Sequence, residues 1–227
     1  MARAAAAVAA MLWSSGCSPP AGEVVREHHA VELGTATRAR VEIDMSGGEL
    51  AVTSGAMNLL EGDFDFNVPT LKPAIAYAVK GSTGALKVSQ GAVSGDYENS
   101  WSLSLNEMSP LDLHIMLGAG DARLTLGRLN LNNLAIRLGA GDLVVDLRGT
   151  PASSYNVRID AGAGDTTIHL PESVGISARV AGLLGDATVK GLEKRDGRWV
   201  NPRADASSVT IDLDVRHAIG DLRLLAE

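Results

Sequence analysis

The sequence is poor in cysteine, in aromatic residues and in clustered basic charge. Its 227 residues include one cysteine, Cys17, so a disulfide within the chain is excluded. Aromatic residues make up 4% of the chain and hydrophobic residues 45%, so the core must consist mostly of Leu, Val, Ile and Ala. The formal net charge is −7. Nucleic acid is therefore not expected as a partner, because phosphate binding needs clustered Lys and Arg.

Known catalytic patterns are also missing from the sequence. It contains no G-x-S-x-G elbow, no H-E-x-x-H helix and no phosphate-binding loop, and no Asp/Glu pair stands apart from the repeats described below. His114 and His169 fall on the polar faces of their strands, where solvated side chains are expected. The adjacent His28 and His29 would point to opposite faces of a strand, so joint metal binding is not expected. The sequence thus predicts no enzyme activity, no catalytic residue, no metal site and no cofactor.

A repeated phrase dominates the second half of the chain: an alternating strand, then Gly-Ala-Gly-Asp, then a second alternating strand. Clear copies cover 113–126, 135–147 and 157–170, and looser copies cover 178–189 and 211–224. The glycines before the aspartates recur after 21, 23 and 21 residues, which is a repeat period. Glycine suits such a corner because it accepts a positive φ. The predicted corner residues are Gly120, Asp121, Gly141, Asp142, Gly164, Asp165, Gly185, Asp186, Gly220 and Asp221.

Each repeat offers one apolar face that it cannot bury alone. In Leu111–Leu117, every odd position is apolar, while Asp112 and His114 fall on the other face. Stacked copies would share a continuous core. No segment after residue 17 sustains a period of 3.6 residues. The sequence therefore predicts an all-β fold, a repetitive parallel β-solenoid or β-helix-like stack with a smaller N-terminal β segment.

Fainter signals extend this pattern towards both termini. Gly48, Gly84 and Gly120 are 36 residues apart, which predicts earlier copies of the corner with longer insertions. Asp196-Gly197 predicts a tight hairpin turn between short strands. The expected organisation is a signal peptide with a lipobox-like cleavage site at 1–17, a tether at 18–38, an N-terminal β segment at 39–108 and a Gly-Asp repeat domain at 109–227.

The repeated aspartates need compensation, because carboxylates stacked in register would repel one another. We expect each one to accept hydrogen bonds from backbone N–H groups at its own corner, as aspartates in turns commonly do. A calcium ladder is the alternative, since a hard cation prefers rows of carboxylates, although calcium-binding β-rolls use a nonapeptide repeat. Staggered, solvated carboxylates are a third arrangement.

The N-terminus has the pattern of an export signal. A short basic start and an apolar stretch, residues 4–13, precede Ser14-Ser15-Gly16-Cys17. About 20 apolar residues are needed to cross a bilayer, so this stretch is too short to span one. The small residue before Cys17 predicts lipidation of that cysteine, with ordinary secretion, or an N-terminus without a targeting role, as the alternatives. Ser14 departs from the usual aliphatic residue of a lipobox. Ser18 is not the Asp that would favour retention at the inner membrane.

With the repeats laid out, the chain resembles the bacterial toast-rack family of envelope proteins, which are related to the C-terminal domain of LiaF-type cell-wall-stress proteins. The resemblance covers about residues 24–227. It is carried by Asp63–Pro69, Asn99–Asn106, Pro110–Leu113, Leu117–Asp121, Leu138–Asp142, Leu170–Gly175 and Val209–Leu213. It implies a β-solenoid-like stack and no established enzyme activity. Family members often carry a membrane segment, whose place a lipid anchor would take here.

These observations favour a non-enzymatic, envelope-exposed lipoprotein that acts as a binding or scaffolding module, in cell-envelope stress response or adhesion. Its expected partners are the membrane, through the lipid anchor, and an envelope protein or cell-wall component; the oligomeric state is open. In a Gram-negative cell the location would be the outer membrane. The alternative is a polysaccharide-binding or polysaccharide-active protein, which predicts a groove where Trp101 or Tyr155 meets two carboxylates.

Overall fold

The computed structural model describes residues 22–92, 95, 97–182 and 184–227, which form strands joined by short turns. The strands are β1 (Val25–Val31), β2 (Arg38–Gly47), β3 (Glu49–Ser54), β4 (Leu60–Phe66), β5 (Ala74–Lys80), β6 (Thr83–Ser89), β7 (Asn99–Leu105), β8 (Leu111–Ala119), β9 (Ala122–Thr125), β10 (Leu131–Ala140), β11 (Leu143–Asp146), β12 (Tyr155–Ala163), β13 (Thr166–Leu170), β14 (Gly175–Ala181), β15 (Ala187–Lys190), β16 (Glu193–Arg195), β17 (Arg198–Val200), β18 (Thr210–Ile219) and β19 (Leu222–Ala226). A 3₁₀ turn spans Pro69–Leu71. No helix in the described ranges is long and apolar enough to cross a membrane.

Two long sheets enclose one core. The first has nine strands in the order β1-β4-β7-β3-β9-β11-β13-β19-β15, and the second has ten in the order β16-β17-β14-β18-β12-β10-β8-β2-β6-β5. Their central strands run parallel, and antiparallel pairs lie at both ends of the ten-stranded sheet and at the β1 end of the nine-stranded sheet. Burial alternates along the central strands, so their period-two apolar positions point inward in both sheets. The predicted all-β, parallel β-solenoid-like stack is confirmed.

A coil of the stack consists of one strand from each sheet, joined at a corner. Strands β8–β9, β10–β11 and β12–β13 are three successive coils. Equivalent positions lie directly beside each other: Leu117 pairs with Leu138, and Leu138 pairs with Ala161. This register keeps each apolar row on the inner face, since a slip of one residue would turn every side chain outward.

The chain doubles back at both ends of the stack. Strands β2–β3 lie between β6–β7 and β8–β9, and the last strands, β18–β19, lie between β12–β13 and β14–β15. At each end of the stack, therefore, the coil that lies outermost in space is not the coil that comes first or last in the sequence. Strand β2 also pairs with β8, so residues of the expected N-terminal segment and of the repeat domain share both sheets and one core.

The structure differs from the expected tether in residues 25–31, which form β1 and pair with β4 along seven positions. The sequence pattern does not predict this strand, because Glu27 and His29 are polar although they occupy inward positions. They lie at the open end of the stack, where an inward side chain still contacts water. Glu27 binds Lys72 at 2.7 Å and lies 3.1 Å from His29 Nε2. A polar row can thus cover the end of an apolar core.

The prediction of a corner at Gly84 is wrong. Gly84 lies within β6, and the neighbouring Gly81, with φ of 59°, forms the hairpin turn between β5 and β6. Gly84 instead accommodates Tyr77, because a Cβ atom there would lie closer than 3.0 Å to the phenol ring. The predicted hairpin at Asp196-Gly197 is confirmed: both residues have positive φ, and β16 pairs antiparallel with β17.

Candidate binding surface

The corners form a column of glycines on the edge between the two sheets. Gly120, Gly141 and Gly164 have φ values of 127°, 123° and 126°, a region that other residues rarely adopt. A Cβ atom on any of them would lie closer than 3.0 Å to the carbonyl oxygen of the preceding glycine in the stack. Gly48, Gly185 and Gly220 share the positive φ. Glycine is therefore required at these corners both for backbone torsion and for close approach of neighbouring coils.

The aspartates after these glycines form a ladder along the same edge. The carboxylates of four of the five accept a hydrogen bond from the backbone N–H of the next aspartate: Asp121 from Asp142 at 3.0 Å, Asp142 from Asp165 at 2.9 Å, Asp165 from Asp221 at 3.0 Å, and Asp221 from Asp186 at 3.3 Å. The sequence predicts a donor at the same corner as the carboxylate. In the structure the donor belongs to the neighbouring corner, so this prediction is wrong in its partner. Stacked strands are about 4.8 Å apart, which places that N–H within reach.

Further positive charge compensates the middle of the ladder. Arg223 on β19 lies 3.7 Å from Asp165 and 3.8 Å from Asp221. Within the described residues, no group of three or more His, Cys, Asp or Glu side chains is arranged to hold a metal ion. The geometry of the ladder is thus that of side chains bonded to backbone between coils.

Among its described residues, the coil of β6 and β7 has no glycine corner like those of the other coils. The side chain of Asn99, the first residue of β7, donates to the Gly47 carbonyl and to Gln90 Oε1. Gln90 in turn donates to Ser46 Oγ at 2.9 Å. Amide side chains therefore bond the Gly47 carbonyl, which corresponds to the Ala119 carbonyl that the backbone N–H of Gly48 bonds at the next corner. No spacing rule distinguishes such residues from an ordinary polar loop.

A groove of about 580 Å³ crosses the outer face of the ten-stranded sheet beside the corners. Its floor consists of Ser46, Gly118, Gly139, Gly162 and Ala218, one from each of five neighbouring strands. A Cβ atom on any of the three glycines would lie closer than 3.0 Å to a carbonyl oxygen of the next strand. Close stacking thus removes side chains from the floor and leaves a smooth surface of backbone and small groups.

The wall of the groove carries charge of alternating sign along one row of side chains, which consists of Asp44, Met116, Arg137, Asp160 and Arg216. Asp160 lies 3.9 Å from Arg137 and 3.0 Å from Arg158. The hydrogen bond that Arg158 donates to Asp160, followed by the negative charge of Asp160, raises the pKa of Arg158. Arg216 has no ion-pair partner among the described residues. The groove is thus a smooth strip bordered by both signs of charge.

The aromatic groove expected for a glycan-active protein is not present. Trp101 is fully buried and packs edge to face against Phe64, with ring centroids 5.2 Å apart. Tyr155 is also in the core, and burial raises the pKa of its phenol. Both side chains occupy inward positions of their strands, so neither can stack on a sugar.

His114 and His169, for which the sequence predicts polar-face positions, lie on different sheets. His114 is exposed on the ten-stranded sheet, and His169 Nδ1 lies 2.7 Å from Glu227 Oε1 on the nine-stranded sheet. Glu227 also binds Arg148 at 2.9 Å, and Arg148 binds Asp146 at 2.6 Å. The structure does not bring His114 and His169 together, and His169 belongs to a surface ion-pair network.

Both the sequence and the fold are similar to those of known proteins. The sequence model of the N-terminal domain of toast_rack, DUF2154, matches residues 20–169. The chain belongs to the toast-rack family. This toast-rack chain is similar to the crystal structure of a candidate cell adhesion protein from Clostridium sporogenes, with 25% identity and a TM-score of 0.86 over 90% of this chain and 100% of that chain. The family resemblance drawn from the repeats is thereby confirmed.

A second solved structure superposes only loosely on the toast-rack chain. It is a candidate adhesin from Bacteroides fragilis, with 9% identity and a TM-score of 0.37 over 90% of this chain and 99% of that chain. No curated protein matches the toast-rack chain. Cys17, the predicted lipidation site, lies outside the described residues.

Proposed function

We propose that this toast-rack protein is a non-enzymatic, envelope-exposed lipoprotein that binds an envelope protein or cell-wall component through the groove on its ten-stranded sheet. The observation that carries the proposal is the groove itself, a smooth floor held in place by close stacking of glycines. A rigid floor favours binding because little conformational entropy is lost when a partner docks.

The comparison with solved structures supports a binding role. The Clostridium sporogenes protein, which shares the fold over 90% of this chain, is described as a candidate cell adhesion protein. Adhesion requires exposure at the cell surface and a stable scaffold, both of which fit a two-sheet stack displayed from an envelope anchor. A role in adhesion or in sensing envelope stress is consistent with such a display.

The charges beside the groove favour a partner with both hydrogen-bond donors and acceptors for the wall, next to an apolar ridge that would contact the floor. Arg137 and Asp160 border the same floor, and Arg216 forms no ion pair among the described residues. An extended peptide would match this pattern, because its backbone presents alternating donors and acceptors. A peptide stem of the cell wall or a segment of an envelope protein has this chemistry.

The binding experiment places a long side chain in the groove. We expect Ala218→Arg, at an exposed position on the floor, to fill the groove without disturbing the core. Thr125→Arg, at an exposed position on the other sheet, is the matched control. Full-length protein would be crosslinked in its own cell envelope and purified, and purified cell-wall sacculi would be tested for binding in parallel.

The proposal expects a reproducible partner with the wild-type protein and with Thr125→Arg, and at least about a tenfold loss with Ala218→Arg, as is typical when an interface centre is disrupted. Equal recovery from all three proteins would contradict the groove. The absence of any partner, together with no binding to sacculi, would contradict the binding function.

Lipid anchoring through Cys17 is tested separately. Metabolic labelling with a fatty acid should mark the wild-type protein, whereas Cys17→Ala should carry no label and should leave the membrane fraction. A Ser18→Asp variant tests the destination in a Gram-negative host, since that residue should redirect the protein to the inner membrane. Label on the Cys17→Ala variant would refute anchoring at this residue.

A further inference from the structure

In the part of the chain that the structure describes, the two sheets have four edge strands, and three of them carry features that discourage pairing. β16 has three residues, Glu193–Arg195, all charged and exposed. β15 has only four residues. β1 is longer, but Arg26 binds Asp65 at 2.7 Å and His28 lies 2.9 Å from Asp63 along its outer side. Short length and charge are the usual means by which proteins protect sheet edges.

The fourth edge strand, β5, has neither protection. It runs for seven residues as Ala-Ile-Ala-Tyr-Ala-Val-Lys, with its one charge at Lys80. Beyond its ladder with β6, the described residues provide no hydrogen bond to its backbone. In an antiparallel pair, every second residue turns its N–H and C=O away from the partner strand. A row of unpaired backbone groups therefore faces outward along β5.

The side chains of β5 leave this edge open to approach. Ala76 and Ala78 lie on the outer face and are exposed, so no long side chain covers the edge. Ile75 and Tyr77 face inward and pack against the core, and the Tyr77 hydroxyl donates to the Leu33 carbonyl at 2.6 Å. Val79 continues this inward row but stays 39% exposed. The apolar row thus extends past the end of the core.

We propose that β5 pairs with β5 of a second copy of this chain, antiparallel and about a two-fold axis at Tyr77. In this register Ala76 lies opposite Ala78 of the partner subunit, and Ile75 lies opposite Val79 of the partner subunit. Lys80 lies opposite Ala74 of the partner subunit, so no like charges meet. The two residues on either side of Tyr77 match in character, alanine with alanine and Ile75 with Val79, which makes a second copy of the strand a fitting occupant.

This pairing joins two ten-stranded sheets into one and covers the exposed part of Val79. The contact is isologous, so it closes after two copies. Each copy carries a net charge of −7, and the repulsion between them weakens as salt screens it. The dimer should therefore become tighter with salt, whereas a contact made by ion pairs would become weaker.

The test uses the full chain with Cys17→Ala, so that acylation cannot cause association, and sedimentation velocity over about 1 to 100 µM, the range suited to a small interface. The wild-type strand should give a monomer–dimer equilibrium that shifts towards dimer in high salt. Ala76→Glu/Ala78→Glu places like charges opposite each other twice and should shift the midpoint by at least about tenfold in concentration, since two repulsive pairs of about 1 kcal/mol each are introduced.

A charge-swap experiment excludes a folding defect as the explanation. The variant Ala76→Lys/Ala78→Lys alone should show the same weakening of the dimer as the Glu variant, and an equal mixture of the Glu and Lys variants should recover the dimer. Thr188→Glu on β15 is the control and should dimerise like the wild type. A wild-type chain that stays monomeric throughout the range would overturn the proposal. So would a Glu variant that dimerises unchanged, or a mixture that fails to recover the dimer. These outcomes are independent of partner binding in the groove.

Discussion

The corners require glycine for two reasons, a positive φ and the close approach of neighbouring coils. Three glycine-to-alanine substitutions test these two reasons separately and together. Gly34→Ala changes a residue with φ of 62° and no atom within 4 Å of the new methyl group, so it tests backbone torsion alone. Gly139→Ala changes a residue without positive φ whose Cβ would meet the Gly118 carbonyl, so it tests close approach alone. Gly141→Ala combines both, because its φ is 123° and its Cβ would meet the Gly120 carbonyl.

The magnitudes follow from these three environments. An ordinary left-handed residue costs about 1–2 kcal/mol, which we expect for Gly34→Ala. Overpacking typically costs about 1–3 kcal/mol, which we expect for Gly139→Ala. The φ of Gly141 lies outside the left-handed helical region, so we expect torsion and collision together to cost about 2–6 kcal/mol. Against a total stability of about 5–15 kcal/mol, the last substitution should remove a large share.

Urea unfolding monitored by tryptophan fluorescence measures these losses, since Trp101 is buried in the core. The free energy of unfolding should fall least for Gly34→Ala and most for Gly141→Ala. If Gly141→Ala lost no more than Gly34→Ala, close stacking of the corners would not constrain the fold, and the account of the groove floor would fail with it.

Three other outcomes follow from particular contacts. Asp142→Ala removes the acceptor for the Asp165 N–H and should lower the unfolding free energy by about 1 kcal/mol, whereas Asp186→Ala, at the end of the ladder, should cost less; equal losses in urea titrations would contradict the ladder. The hydrogen bond that the Arg148 side chain donates lowers the pKa of Asp146. The folded state is therefore stabilised by this pair at pH values above the ordinary carboxyl pKa, and this stabilisation is lost as the pH falls through the lowered pKa of Asp146. The stability difference between wild type and Arg148→Gln should therefore shrink below about pH 4, and a difference that stays constant down to strong acid would exclude this pair. Leu213→Ala, at a fully buried position of β18, should cost about 2–5 kcal/mol, while Met57→Ala, at a residue 92% exposed, should change the thermal midpoint little.

Much of the architecture could be predicted because it follows from local pattern. Alternation in segments such as Leu111–Leu117 fixes which face is buried, and the Gly-Ala-Gly-Asp spacing locates the corners. The order of the coils could not be predicted in the same way. Each coil offers a similar row of Leu, Val and Ile, so the pattern does not say that β18 lies between β12 and β14.

The candidate site was only partly visible in the sequence. The second glycine of each phrase was recognised as a corner, but the first, at Gly118, Gly139 and Gly162, forms the groove floor. Its signal was present: the outer copies place Ser46 and Ala218 at the same position, both small. The polar strand β1 and the Asn99 network escaped detection because they depend on contacts between residues far apart in sequence.

The swapped coils at the two ends bear on how such a chain can grow and assemble. Because β18–β19 must enter the slot beside β14–β15, the stack cannot be completed by one-way winding during synthesis, and it closes only when the C-terminal strands arrive. Pairing over long separations makes this last step slow. Duplication of a repeat during evolution would be accommodated in the middle, among β8 to β13, where neighbours in sequence are neighbours in space. An added repeat beside β2 or β18 would instead separate strands that pair out of sequence order, such as β2 with β6 and β14 with β18. The number of coils can therefore change in the middle of the stack more easily than at its ends.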